Sequence, residues 1–164
     1  MRIAVLTVSD SRSLSDDSSG DYLVEAIQQA GHEVHDRKLL KDDRYQLRAF
    51  VSGLIADPQC HAILITGGTG FTGRDSTPEA LEPLLDKTMP GFGELFRTVS
   101  FAEIGTSALQ SRAFAGLANG TFIAALPGST GACKTAWTQI LRAQLDETTK
   151  PCNLANLRGR FLER

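Results

Sequence analysis

Apolar and polar positions alternate along this chain in two distinct rhythms, and their order predicts an α/β fold. Ile3 to Val8 is an almost unbroken apolar and β-branched run, the pattern of a parallel strand buried on both faces. Ser9 to Gly20 is nearly all Ser, Asp, Arg and Gly and reads as a solvated loop. Only Ser9-Asp10-Ser11-Arg12, at the strand's C-terminal end, is placed to face a ligand. Helical spacing follows at Tyr22, Leu23, Ala26, Ile27 and Ala30, with Gly31 placed to end that helix. Glu33 to Leu40 predicts a second strand. Leu47, Phe50, Val51, Leu54 and Ile55 give the apolar face of a second helix, for which Asp42 or Asp43 is a natural N-cap. Ala62 to Thr66 then forms a third strand, so the order is β-α-β-α-β, which requires a parallel sheet covered by helices on both faces.

The stretch after this third strand is the most informative. Gly67-Gly68-Thr69-Gly70-Phe71-Thr72-Gly73 lets the backbone turn and approach a ligand closely, and Ser76 or Thr77 before Pro78 starts a helix, with Ser76 and Glu79 spaced as a capping box. Strand, bare loop and helix together hold phosphate, because free peptide N–H groups are aimed at the anion. Asp75 beside such a cradle repels phosphate unless a divalent cation lies between them, so the pair suggests a metal–nucleotide site.

Further on, Met89 to Arg97 makes a turn and a helix, with Phe92, Leu95 and Phe96 as core or subunit contacts. Thr106 to Leu117 reads as another helical segment carrying Ser111 and Arg112. Phe122 to Leu126 is a last buried strand, and Pro127-Gly128-Ser129-Thr130-Gly131 leads into a helix with Trp137, Ile140 and Leu141. This second strand–loop–helix unit is either an anion site, with Lys134 one turn in, or an ordinary turn. The tail from Lys150 to Arg164 is basic and poorly periodic, suited to packing on a surface or a neighbouring subunit.

Composition narrows the class. The 164 residues, 41% hydrophobic and 22% charged, fit a single domain, and no apolar run spans a bilayer or forms a secretory segment, so a cytoplasmic protein is expected. A net charge of −2 argues against a nucleic-acid surface. Cys60, Cys133 and Cys152 lack zinc spacing and read as reduced structural thiols, and His32 and His35, without a third ligand nearby, read as surface residues. Gly68 to Gly73 satisfies G-x-G-x-x-G, but it follows the third strand rather than the first. No Lys lies four residues after Tyr22 or Tyr45, and no Gly-Lys-Ser/Thr follows, which argues against a dehydrogenase and excludes a P-loop.

Several ordered motifs, Thr66-Gly67-Gly68-Thr69-Gly70 with Asp75, Thr77-Pro78-Glu79-Ala80, Met89-Pro90-Gly91-Phe92-Gly93-Glu94, Ser111-Arg112 and Leu126-Pro127-Gly128-Ser129, resemble the molybdenum cofactor biosynthesis MoaB/MogA family. Arg44-Tyr45-Gln46, Gly105-Thr106-Ser107 and Pro151-Cys152-Asn153 are most similar to its MoaB branch. The resemblance implies a three-layer α/β/α, mostly parallel fold, assembled as a homotrimer or hexamer, with other proteins of the same pathway as partners. It also implies Mg²⁺ and ATP-dependent adenylylation of molybdopterin, releasing pyrophosphate. Asp75 and Asp42, at what are expected to be adjacent strand ends, would hold the metal. Gly67, Gly68, Thr69, Gly70, Ser111, Arg112, Gly128, Ser129 and Lys134 would bind the substrates' phosphates and the pterin. The family's Pro-Asp-Glu stretch is Lys41-Asp42-Asp43 here, and Gly131 stands where its lysine is expected. The alternative implied is a molybdopterin-binding accessory protein without turnover.

Overall fold

The computed structural model describes residues 1–163, and its sheet has the order β2-β1-β3-β6-β5-β4. Strands β1 (Arg2–Val8), β2 (Glu33–Leu40), β3 (Ala62–Thr66) and β6 (Thr121–Leu126) are mutually parallel, while β5 (Phe114–Ala118) runs antiparallel to both β6 and the short β4 (Lys87–Thr88). Successive side chains of a strand point to opposite faces, so each parallel strand feeds two cores. Ile3, Val5, Leu64, Phe122 and Ala124 face one side. There they meet helices α1 (Ser18–Gln29) and α4 (Pro90–Ile104) and the helical run through α5 (Thr130–Ala136), a π-helical turn (Trp137–Leu141) and α6 (Arg142–Leu145). Ala4, Leu6, Ile63, Ile65 and Ile123 face the other side, against α2 (Arg44–Ala56) and α3 (Thr77–Leu81). The result is the expected α/β/α arrangement of three layers.

One expected element is replaced. Thr106–Leu117 is not helical: a 3₁₀ segment covers Gly105–Gln110, and from Phe114 the chain is strand β5. Ala115 and Ala118, three apart, suit a helix as well as a strand, but within β5 both are at most 2% exposed and fit the tight packing of an inner strand. The overlooked signal is Asn119-Gly120, whose φ values of +46° and +79° form the two-residue turn that joins β5 to β6. Asp43, rather than Asp42, caps α2 by accepting from the N–H groups of Tyr45 and Gln46. Ser76 is the N-cap of α3, yet its hydroxyl makes no cap bond and no capping box with Glu79 forms.

The tail folds back on its own chain. Asn153 is 2% exposed and caps α7 (Leu154–Leu157), and Leu162 lies against Gly120; Arg164 is outside the described residues. Cys60 and Cys133 are buried as expected of structural thiols, with burial pushing each up to about 11, but Cys152 is exposed. No helix among the described residues is long and apolar enough to cross a membrane.

Candidate functional site

In a parallel sheet whose strand order reverses, the loops after the neighbouring strands part and leave a crevice at the strands' C-terminal ends. Here β1 connects outward to β2, and β2 connects back across β1 to β3. A cavity of about 610 Å³ lies at this end of the sheet. Its walls come from the loops after β1, β3 and β6, from the C-terminal half of α4, and from the 3₁₀ segment that follows it.

The loop after β3 is built as a cradle. Gly67 and Gly68 have φ of +106° and +65°, a backbone that side chains rarely adopt. A Cβ at Gly67 would lie 2.1 Å from the Val8 carbonyl oxygen, and one at Gly68 would lie 2.3 Å from Thr77 Oγ1 and 2.5 Å from Asp42 Oδ2. The Gly67 N–H is spent on the Leu126 carbonyl at 2.9 Å. Among the described residues no acceptor takes the N–H groups of Gly68, Thr69 or Gly70, so three donors remain beside the cavity. The loop after β6 closes against this cradle: Gly128 lies 3.3 Å from the Gly67 Cα when given a Cβ, and Thr66 Oγ1 donates to the Pro127 carbonyl. Ser129 caps α5 by accepting from Ala132 N–H and lines the cavity with Gly128 and Ser111. Lys134 is exposed and does not line it.

Two carboxylates abut this loop from different directions. Asp75 lines the cavity, and its Oδ2 accepts from Thr72 N–H at 2.8 Å and Thr72 Oγ1 at 2.6 Å. Asp42 arrives from the end of β2 and accepts from both the backbone N–H and the hydroxyl of Ser76. The sequence reading puts these two acids at adjacent strand ends, but β2 and β3 are not neighbours, because β1 lies between them. The two acids converge through their loops instead. Burial pushes the Asp42 carboxyl up, against the pull of Ser76's donors, and the negative charges of Asp75 and Asp10 push it the same way. Asp10 is tied in as well, since it accepts from Asp42 N–H and pairs with Arg74 at 2.8 Å.

The cations are few. Arg12 lines the cavity and donates through Nη1 to Ser19 Oγ and the Gly128 carbonyl, both at 3.0 Å, which ties the β1 loop to the β6 loop. The segment carrying Arg12 stood out in the sequence as facing a ligand, but nothing in the spacing singled out this side chain. Arg112 does not line the cavity. Its backbone N–H donates to the Thr69 carbonyl, Nε to the Gly70 carbonyl at 2.8 Å, Nη2 to the Asp75 carbonyl at 3.0 Å, and Nη1 to Glu79. Glu103 and Thr135, joined at 2.7 Å, form part of the cavity's far wall and carried no sequence signal.

A metal ion fits this arrangement on charge grounds. The charged side chains lining the cavity are Arg12, Asp75 and Glu103, so a polyphosphate there faces net negative walls. No group of three His, Cys, Asp or Glu side chains among the described residues forms a complete metal cage. Asp42 and Asp75 supply carboxylate oxygens from two sides, which suits Mg²⁺, an ion that takes one or two carboxylates and completes its shell with phosphate and water.

Residues 4–147 match the family described as "Probable molybdopterin binding domain". The chain is 57% identical over 152 residues to molybdenum cofactor biosynthesis protein B of Escherichia coli (strain K12), covering 93% of this chain and 89% of that one. Its structure is similar to a crystal structure of molybdenum cofactor biosynthesis protein B, with a TM-score of 0.85, 39% identity and coverage of 88% and 90% of the two chains. It is also similar to the tungsten cofactor synthesizing protein MoaB from Pyrococcus furiosus, with a TM-score of 0.77, 33% identity and coverage of 85% and 89%. The chain belongs to the MoaB/MogA family of molybdenum cofactor biosynthesis proteins.

Proposed function

We propose that this protein adenylylates molybdopterin: the terminal phosphate of molybdopterin attacks the α-phosphate of ATP, a new P–O–P bond forms, and the bond to the β-phosphate breaks to release pyrophosphate. The observation that carries the reading is the cradle itself: three N–H donors from Gly68 to Gly70, unpartnered among the described residues, flanked by Asp42 and Asp75 at one end of a cavity of about 610 Å³.

The nucleophile is already an anion, so no general base is required; the protein has to position two phosphates and offset their repulsion. The donors of Gly68, Thr69 and Gly70 hold phosphate oxygens, with Gly67 shaping the turn and spending its own N–H on Leu126. Ser129, Gly128, Ser111 and Arg12 line the same cavity and complete its polar wall. Asp42 and Asp75 would hold Mg²⁺, which when bound neutralises charge on the phosphates and on the departing pyrophosphate. Thr72 and Ser76 aim those carboxylates through the hydrogen bonds already described. Homotrimeric or hexameric assembly and contact with other proteins of the pathway belong to the same reading.

Purified protein supplied with molybdopterin, ATP and Mg²⁺ is expected to release pyrophosphate. Asp75→Ala should lower turnover by about 10²–10³-fold, the usual effect of removing one electrostatic stabiliser, while changing pterin affinity far less. Tight pterin binding with no pyrophosphate would sink the enzyme reading in favour of an accessory pterin-binding protein. One observation favours that alternative: Lys134, the lysine nearest the β6 loop, stands outside the cavity, leaving Arg12 as its one lining cation among the described residues.

A further inference from the structure

We propose that Arg112 is a positioning residue that clamps the Gly70–Asp75 loop and so aims the Asp75 carboxylate, and that it does not itself contact the substrates' phosphates. The inference deepens the reading above, since Asp75 matters through the metal that reading places there.

Loop 70–75 has one other tie, at its exposed edge, where Arg74 pairs with Asp10 at 2.8 Å and donates to the Asp42 carbonyl at 3.3 Å; an exposed pair of this kind holds a loop weakly. Phe71, Thr72, Gly73 and Arg74 are exposed, and the loop's internal bonds all join Thr72 to Asp75. Those bonds fix Asp75 relative to Thr72 but not the pair relative to the sheet. Arg112, 23% exposed where Arg74 is 70% exposed, supplies the firmer reference. Its backbone N–H takes the Thr69 carbonyl, and two arms of its guanidinium take the carbonyls of Gly70 and Asp75, at the loop's two ends. The third arm is held by Glu79, from the first turn of α3, and that contact keeps the Glu79 carboxyl below its usual range. Phe71 covers the guanidinium with its ring, 5.4 Å from centroid to Cζ. A planar fork with fixed N–H directions meets three acceptors at once; an ammonium cannot. The same side chain stands in the wall of a separate open groove, alongside Pro78, Glu79 and Arg97, and not in the cavity that holds the cradle.

The test uses the intact protein without requiring turnover. Arg112→Ala and Arg112→Lys should both raise hydrogen exchange of the amides from Phe71 to Asp75 by about tenfold or more, with β1 and β6 amides unchanged, because only a local closure is lost. Both should also weaken binding of Mn²⁺, used as a paramagnetic stand-in for Mg²⁺ in the presence of ATP, and on an Asp75→Ala background neither should weaken it further. Glu79→Gln leaves the two carbonyl contacts in place and should loosen the loop less; it keeps the comparison readable if Arg112→Ala unfolds. Unchanged exchange in the loop overturns the proposal. So does full retention of loop order by Arg112→Lys, or a loss of metal-free ATP binding that is equal with and without Asp75, since that marks a direct phosphate contact. If wild-type protein with ATP binds no Mn²⁺, the metal reading of the site fails, and the exchange measurement still decides the role of Arg112.

Discussion

Asp17 shows how one side chain organises the entrance to the first crossover. Its carboxylate has no solvent exposure and accepts from Thr7 Oγ1 at 2.6 Å, Gly20 N–H at 3.0 Å and Ser19 Oγ at 3.2 Å, with Arg37 beyond at 3.5 Å. Burial pushes this carboxyl up, but the donors of Thr7, Gly20, Ser19 and Arg37 together outweigh it and hold the group below its ordinary value. Asp17 therefore caps α1 and joins that helix to β1 and β2 at once. Asp17→Ala leaves the Thr7 hydroxyl and the Gly20 N–H without their acceptor, while Arg37 keeps its pair with Asp21 at 2.6 Å, and should cost about 2–3 kcal/mol in urea denaturation, the loss of a cap together with an unsatisfied buried donor. A cost under about 1 kcal/mol would mean that water replaces the carboxylate there. The sequence reading left Asp17 in a solvated loop. Its strand partners Thr7 and Arg37 lie 10 and 20 residues away, and no local spacing reports burial set by such distant contacts. The split between Asp42 and Asp43 was half legible for a similar reason: either suits a cap, and only the three-dimensional position of Ser76 frees Asp42 for the site.

At the scale of elements, the glycine loop was legible because its demands are local. Positive φ at Gly67 and Gly68 and the crowding around them are written into the run of glycines after a β-branched strand. Gly68→Ala should lower the thermal midpoint markedly and weaken nucleotide binding, since its methyl meets Thr77 Oγ1 and Asp42 Oδ2 in a backbone already costing about 1–3 kcal/mol for a side chain. Gly73→Ala, with no atom within 4 Å of the new methyl, is the control and should stay within about 0.5 kcal/mol. Equal shifts for the two would show that flexibility of the loop, not close packing, selects glycine. The parallel strands were legible too, each as an apolar run. Strand β5 was not, because its alanines suit a helix as well as an inner strand, and pairing with β6 decides between them. Glu103 and Ser107 were lost with it, since their place in the cavity wall depends on how the chain leaves α4.

For the whole molecule, the histidines set how stability responds to acid. His61 Nδ1 accepts the Arg2 backbone N–H at 3.0 Å, and His32 Nδ1 lies 3.1 Å from the N-terminal amine. Burial first, then Arg158 for His61 and the N-terminus for His32, holds both below the ordinary value of 6.5. A base with a lowered folded pKa binds fewer protons folded than unfolded, so its contribution is complete above about pH 6.5 and is lost as pH falls toward the folded pKa. Asp17, also lowered, adds its own loss only in stronger acid, as pH falls from 3.8 through its folded pKa. The denaturation midpoint is expected to decline in two stages, and His61→Gln should flatten the first; a midpoint constant from pH 7 to 5 would rule this out. Both histidines sit at the N-terminal end of the parallel strands, away from the cavity, so this decline should not follow nucleotide binding. The antiparallel course of β5 has a different reach. In a sheet of uniformly parallel strands, whatever precedes a strand is exiled to the pole without chemistry. Turning one strand around gives its leading residues the same address as the others' trailing ones, and that is how Ser111 and Arg112, upstream of β5, come to stand beside loops that lie downstream of β1, β3 and β6. The reversed strand thus enlarges the set of chain positions from which this site can be furnished.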